Sequence, residues 1–174
     1  MKKVLAVITI FIALVVLIIS SNEHKEYLRI HIRANSNSQA DQDVKYLVKD
    51  TITTLLTPYL SQVHTKDQAR QVVTNNLDSI VASANKVLKQ CGYGYSAKAY
   101  LDSQSFPTRK YEQLMLEEGI YDALIIELGD ASGDNWWCVV YPPLCFVATN
   151  CDKEGFYYKS KILEIINEFF KNNP

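Results

Sequence analysis

The sequence is short of the residues on which most metal and hydrolytic chemistry depends. Its three histidines, His24, His31 and His64, are widely scattered, and its four cysteines form no C-x-x-C pair, so the ligand spacing of a zinc site is missing. It contains no G-x-S-x-G elbow, no H-E-x-x-H and no Walker loop. Asp130 and Asp134, around Ser132-Gly133, lack the spacing of a calcium loop. No metal, cofactor or small-molecule substrate is therefore expected. An excess of basic charge is absent too: the formal net charge is -1 over 174 residues, which gives no reason to expect nucleic acid. Repeats, Gly/Ser linkers and low-complexity tracts are also lacking, and a single domain follows.

What the chain does have is a long apolar run near its start. Lys2 and Lys3 precede residues 4–19, whose only polar member is Thr9, the pattern of a charged n-region followed by an h-region. A bilayer core of about 30 Å takes about 20 helical residues, so the run suits either a signal peptide or a retained anchor. Ile18 and Ile19 stand where a second small residue would be needed before Ser20 or Ser21, and this favours the anchor. Lysines before the run and Glu23 after it direct the rest of the chain outward. The expected organisation is a signal or anchor at 1–21, a tether at 22–26 and one extracytoplasmic domain at 27–174. With Lys2 and Lys3 in the leader, sixteen Lys and Arg face nineteen Asp and Glu in the exported part, a formal charge of about -3.

Periodicity outlines the domain. Leu28, Ile30, Ile32 and Ala34 alternate with Arg29, His31 and Arg33, which predicts a half-buried strand. Ser38 with Asp41 has capping-box spacing and opens a helix whose apolar positions are Val44, Leu47, Val48, Ile52, Leu55 and Leu56; Pro58 predicts its end at Thr57. Thr65 with Gln68 opens a second long helix, with one apolar stripe from Ala69 to Cys91 and Gly92 as its C-terminal cap. Beyond Gly92 the period becomes extended. Strands are expected around residues 95–102, 114–116, 120–128 and 136–141, with a hairpin through Glu117-Glu118-Gly119, and a last helix over 157–171. The fold class expected is α+β: a mostly antiparallel sheet, two long helices between the first strand and the rest, and a C-terminal helix.

Residues 133–146, GDNWWCVVYPPLCF, hold both tryptophans, two cysteines and two prolines. On a strand Trp136 and Trp137 point to opposite faces, so one enters the core and the other lies nearer the surface. A half-exposed tryptophan beside the stiff Pro142-Pro143 turn suits a protein interface; two rings packed in the core suit it equally. Cys138 and Cys145 flank six residues including that turn, and outside the cytoplasm either a disulfide or two buried thiols fits. Cys91 is expected on the buried helix face and Cys151 in a connector. Arg29, His31 and Arg33 are expected on a polar strand face, where they could form a cationic stripe for an acidic partner. The competing class is an extracytoplasmic hydrolase of the cell envelope, combining His31 with Asp41, Asp43 or Asp50 and Ser36 or Ser38. Capping and helix-dipole roles for Ser38, Asp41 and Asp43 weaken it.

Two blocks carry a specific resemblance. One is LRIHIRANSNS at 28–38, followed by Asp41-Gln42, Lys45, Val48 and Asp50. The other runs from Phe106-Pro107-Thr108-Arg109 and Tyr111, through Gly119, Tyr121, Ala123 and Leu124, to NWWCV at 135–139 and PPLCF at 142–146. Together they resemble the stage II sporulation protein R family, signalling proteins of endospore-forming Firmicutes. The resemblance implies a protein with no catalytic residues, made in the forespore and exported into the space between the septal membranes. There it triggers the membrane aspartic protease SpoIIGA, which processes pro-sigma-E in the mother cell. Under that implication the partner-binding candidates are Arg29, His31, Asn35, Arg109, Trp136, Trp137, Pro142 and Pro143. The chain departs from the family's pattern at Asn37, at Ala131, where a glycine is usual, and at Asp134.

Overall fold

The computed structural model describes residues 26–111 and 114–146. The leader, the tether up to Lys25, Cys151 and the helix expected over 157–171 lie outside them. Among the described residues no helix is long and apolar enough to cross a membrane.

Strand β1 (Leu28–Arg33) is followed by three helices, α1 (Gln39–Leu60), α2 (Lys66–Asn75) and α3 (Leu77–Gln90). Five strands come next: β2 (Ala97–Phe106), β3 (Arg109–Tyr111), β4 (Leu114–Leu116), β5 (Gly119–Leu128) and β6 (Asn135–Tyr141). The predicted caps form. Ser38 Oγ accepts from the Asp41 amide at 3.2 Å and Thr65 Oγ1 from the Gln68 amide at 3.2 Å, so α1 and α2 start where a side chain satisfies an orphan N–H.

Two helix boundaries differ from expectation. Helix α1 runs through Pro58 to Leu60. Proline removes one ladder bond, but Leu56 and Leu60 are fully buried on either side of it and Ser61 N–H still reaches Thr57 O at 3.0 Å, so tertiary burial outweighs the lost bond. The expected long second helix is two, broken at Asn76. Its Nδ2 donates to Val72 O at 2.8 Å and its backbone sits at φ -109°, the local competition by which asparagine ends helices. Gly92, at φ +81°, caps α3 as expected, and Tyr93 N–H closes on Leu88 O at 2.9 Å. Cys91 is exposed there, not on the buried helix face as expected, because it lies one residue past the end of α3.

The sheet is mixed, a correction to the mostly antiparallel expectation. Its order is β2-β5-β1-β6: β1 lies parallel to β5 and antiparallel to β6, while β2 and β5 are antiparallel. Parallel neighbours require a long crossover, and the three helices with β2 supply it. The hairpin expected between β4 and β5 does not form. β4 pairs with β3 in a separate two-stranded sheet, and β5 turns back along all of β2, from Phe106 opposite Gly119 to Ala97 opposite Leu128. Ten cross-strand pairs outweigh the few that a short local hairpin offers.

Among the described residues the helices pack on one face only. Leu28, Ile30, Ile32, Leu124, Ile126 and Leu128 meet Val44, Val48, Ile52, Ala69, Val73, Ile80 and Ala84 in the main core. The other face carries a second, smaller cluster of Phe106, Tyr121, Ala123 and Ile125, with Tyr100 and Trp137 against it and no helical residue in it. Strand β1 is thus central and buried on both sides, rather than half buried.

Candidate partner-binding face

The second face is built from alternate positions of four strands. Arg29, His31 and Arg33 come from β1; Tyr100, Gln104 and Phe106 from β2; Tyr121, Ala123, Ile125 and Glu127 from β5; and Trp137 from β6. Register brings them together: His31 lies between Ile125 and Trp137.

Arg29 and His31 were expected on a solvated polar face, and the structure corrects this. Arg29 is fully buried and His31 is 5% exposed. The Arg29 guanidinium stands 4.2 Å from the Phe106 ring centroid and 4.9 Å from that of Tyr121. Its Nη2 donates to Tyr111 Oη at 2.6 Å, while Nε and Nη1 have no hydrogen-bond partner. Burial pulls the arginine's pKa below its ordinary value, and contact with Tyr111 restores part of it.

His31 sits between Phe106 and Trp137, at 5.8 and 5.5 Å between ring centroids. Nδ1 lies 3.1 Å from Gln104 Oε1, which can only accept, so Nδ1 carries the proton in the neutral ring. Burial lowers the His31 pKa and outweighs the support of Asn135 and Gln104. Arg33 is the paired cation of the three, bonded to Glu127 Oε1 at 3.2 Å and Gln104 Oε1 at 3.1 Å.

The exposed end of this face is Arg109 on Trp137. The exposed guanidinium of Arg109 lies 4.1 Å from the centroid of the half-buried ring. Trp136, on the opposite side of β6, packs against the main core, with Lys49 Nζ 5.8 Å from its ring centroid. Strand alternation therefore separates the two indoles as expected. Pro142 and Pro143 are half buried in the turn after β6, where the Tyr141–Pro142 bond is cis. Cys138 and Cys145 are joined as a disulfide across this turn, with Cα atoms 6.5 Å apart.

Asn35 has an internal duty. Its Nδ2 donates to Asp41 Oδ2 at 2.9 Å and its Oδ1 accepts from Asp130 N–H at 2.9 Å. Asp41 accepts further from Ser36 Oγ at 2.5 Å and from Tyr95 Oη at 2.6 Å. Burial alone would raise its pKa, but these donors win and hold it down at about 2. Lys45, 1% exposed, bonds Asp134 O at 2.9 Å and ties α1 to the loop before β6. Ser132 Oγ and the Gly133 amide bond the carbonyls of Asn35 and Ala34, at 2.7 and 2.9 Å. The network fixes how β6, and with it Trp136 and Trp137, leaves the loop.

The hydrolase set is not assembled. Asp41 is committed to Ser36, Asn35 and Tyr95, whereas the neighbours of His31 are Gln104, Phe106 and Trp137. Among the described residues no three His, Cys, Asp or Glu side chains stand close enough to hold a metal ion.

Sequence reasoning did not single out Tyr111, Gln104, Phe106, Tyr121 or Lys45. Phe106, Tyr111, Tyr121 and Lys45 lie in the two blocks quoted above, but their roles depend on the β2–β5 register and on the approach of the β3–β4 hairpin.

The sequence model of the family described as Stage II sporulation protein R matches residues 24–151. Stage II sporulation protein R of Bacillus subtilis (strain 168) is 36% identical over 120 residues, covering 69% of this chain and 54% of that protein. The matched part therefore spans about half the length of that relative. No solved structure matches the chain. By the extent of the match to its sequence model, the chain belongs to the stage II sporulation protein R family.

Proposed function

We propose that this sporulation-family protein is an exported intercellular signal that activates the membrane aspartic protease SpoIIGA, leading to processing of pro-sigma-E in the mother cell. Family membership carries the proposal, and the lysine-flanked apolar leader agrees with it. The protein is made in the forespore and acts in the intermembrane space, secreted or held by its N-terminal segment. It works by contact. The surface offered is the sheet face on which no described helix packs, where Arg109 and Trp137 are the residue types that dominate interface energies, and the strand that carries Trp137 ends in the disulfide-closed Pro142-Pro143 turn.

The test is reconstitution. The full chain is added to the outer face of vesicles carrying the protease with pro-sigma-E enclosed. Dose-dependent appearance of the shortened sigma factor is expected. A protease of demonstrated activity that stays silent at saturating concentrations of this chain would overturn the proposal.

A further inference from the structure

Among the described residues Arg29 is a buried cation without a counter-ion. Three rings surround its guanidinium, Phe106 at 4.2 Å, Tyr121 at 4.9 Å and Tyr111 at 5.8 Å, and its one hydrogen bond goes to the neutral hydroxyl of Tyr111. Nε and Nη1 are buried and unpaired, and among the described residues no carboxylate forms an ion pair with it. As a core-filling residue this is a poor choice. A methionine would fill similar volume without the loss of hydration, and replacing buried charges by apolar groups is often neutral or stabilising. The aromatic faces recover part of that loss but supply no acceptor for the two free donors.

The surroundings favour an anion. Arg109 stands close enough to oppose the charge on Arg29, and Lys110 is exposed next to it. Of the acids on this face, Glu127 is taken by Arg33, and Asp102, opposite Ala123, is exposed to solvent. Tyr111, which covers the one bonded nitrogen of the guanidinium, sits on β3. The β3–β4 sheet shares no main-chain ladder with the four-stranded sheet. Withdrawing Tyr111 breaks its hydroxyl contacts, to Arg29 at 2.6 Å and to Trp137 O at 3.4 Å, and its packing against the main core, but no pairing with the four-stranded sheet.

We propose that Arg29 is the receptor for a carboxylate of the partner protein, an Asp or Glu side chain on an acidic segment that displaces the Tyr111 hydroxyl, with Arg109 and Trp137 at the entrance. This rests on activation by contact and specifies its chemistry. It also accounts for two buried guanidinium donors that no described residue satisfies.

The decisive variant is Arg29→Met in the full chain. Its melting temperature is expected to equal or exceed that of the parent, while protease activation in the vesicle assay falls about 30-fold or more, the usual loss when one member of a buried charge pair is removed. Activation at the parental level overturns the proposal, and so does a joint loss of melting temperature and activation, which marks a structural arginine. A second arm needs neither variant nor protease. With arginine 15N-labelled, pentaglutamate is added to the parental chain in micelles and is expected to shift the Arg29 Nε–H resonance, whereas pentaglutamine leaves it in place. No selective shift overturns the pocket. A parental chain that fails to activate the protease counts against the proposed function, and the peptide titration still decides the pocket.

Discussion

Asn35 joins the start of α1 to the loop before β6: its amide donates to Asp41 Oδ2 at 2.9 Å while its carbonyl oxygen accepts from Asp130 N–H at 2.9 Å. One short side chain thus satisfies a buried carboxylate and a loop amide together. Asn35→Asp replaces the donor with a second carboxylate facing Asp41 and is expected to cost about 2 to 3 kcal/mol, more than Asn35→Ala. The urea midpoints of the two variants check the order.

Acid titration separates two groups. Asp41 has its folded pKa depressed to about 2 from 3.8, so its contribution is complete above the unfolded value and is lost as pH falls from 3.8 through 2; the difference corresponds to about 2 kcal/mol. His31 also has a lowered folded pKa, from 6.5. The unfolded chain then binds a proton that the native chain refuses, so stability declines as pH drops below 6.5. Melting curves from pH 7.5 to 4.5 are expected to show that decline in the parent, and His31→Gln to flatten it.

Ala131 lies at φ +53°, where a side chain is strained, and glycine relieves it. Ala131→Gly is expected to stabilise by roughly 0.5 to 1 kcal/mol, the strain released exceeding the extra flexibility gained by the unfolded chain. Gly133→Ala works the other way, since its Cβ would overlap the Ser36 carbonyl. Thermal unfolding of both variants measures the two signs.

The Cys138–Cys145 bond closes a short loop at a sequence separation of 7. Reduction, or the double change to serine, is expected to lower stability by about 2 to 3 kcal/mol through the unfolded chain. Denaturant curves with and without reductant test this, and a thiol count on the unfolded chain is expected to find two thiols masked until reduction.

Arg109→Ala removes an exposed guanidinium stacked on Trp137. Stability is expected to change by less than about 0.5 kcal/mol, while activation falls and the parental dependence on salt weakens. Dose–response curves at low and high ionic strength check it.

Local signals were legible where local physics decides. Ser38 and Thr65 cap their helices because a hydroxyl three residues before an amide needs no distant partner. Strand alternation placed Trp136 and Trp137 on opposite sides of β6 for the same reason. Pro58 and Asn76 misled. Burial of Leu56 and Leu60 carries one helix past a proline, and a single side-chain bond to Val72 breaks the other.

By itself the sequence determined the first strand, the starts of α1 and α2, the change of period after Gly92 and the two blocks that carry the family. Pairing was beyond it. That β1 runs parallel to β5 at the centre of a mixed sheet is settled by contacts about ninety residues apart, with Leu28 opposite Asp122. This placement turns an apparently solvated Arg29 and His31 into buried groups, because a charged residue on an alternating strand shows its face in the sequence but not what lies over it. Only the packed chain brings Phe106, Tyr111, Tyr121 and Trp137 to that face.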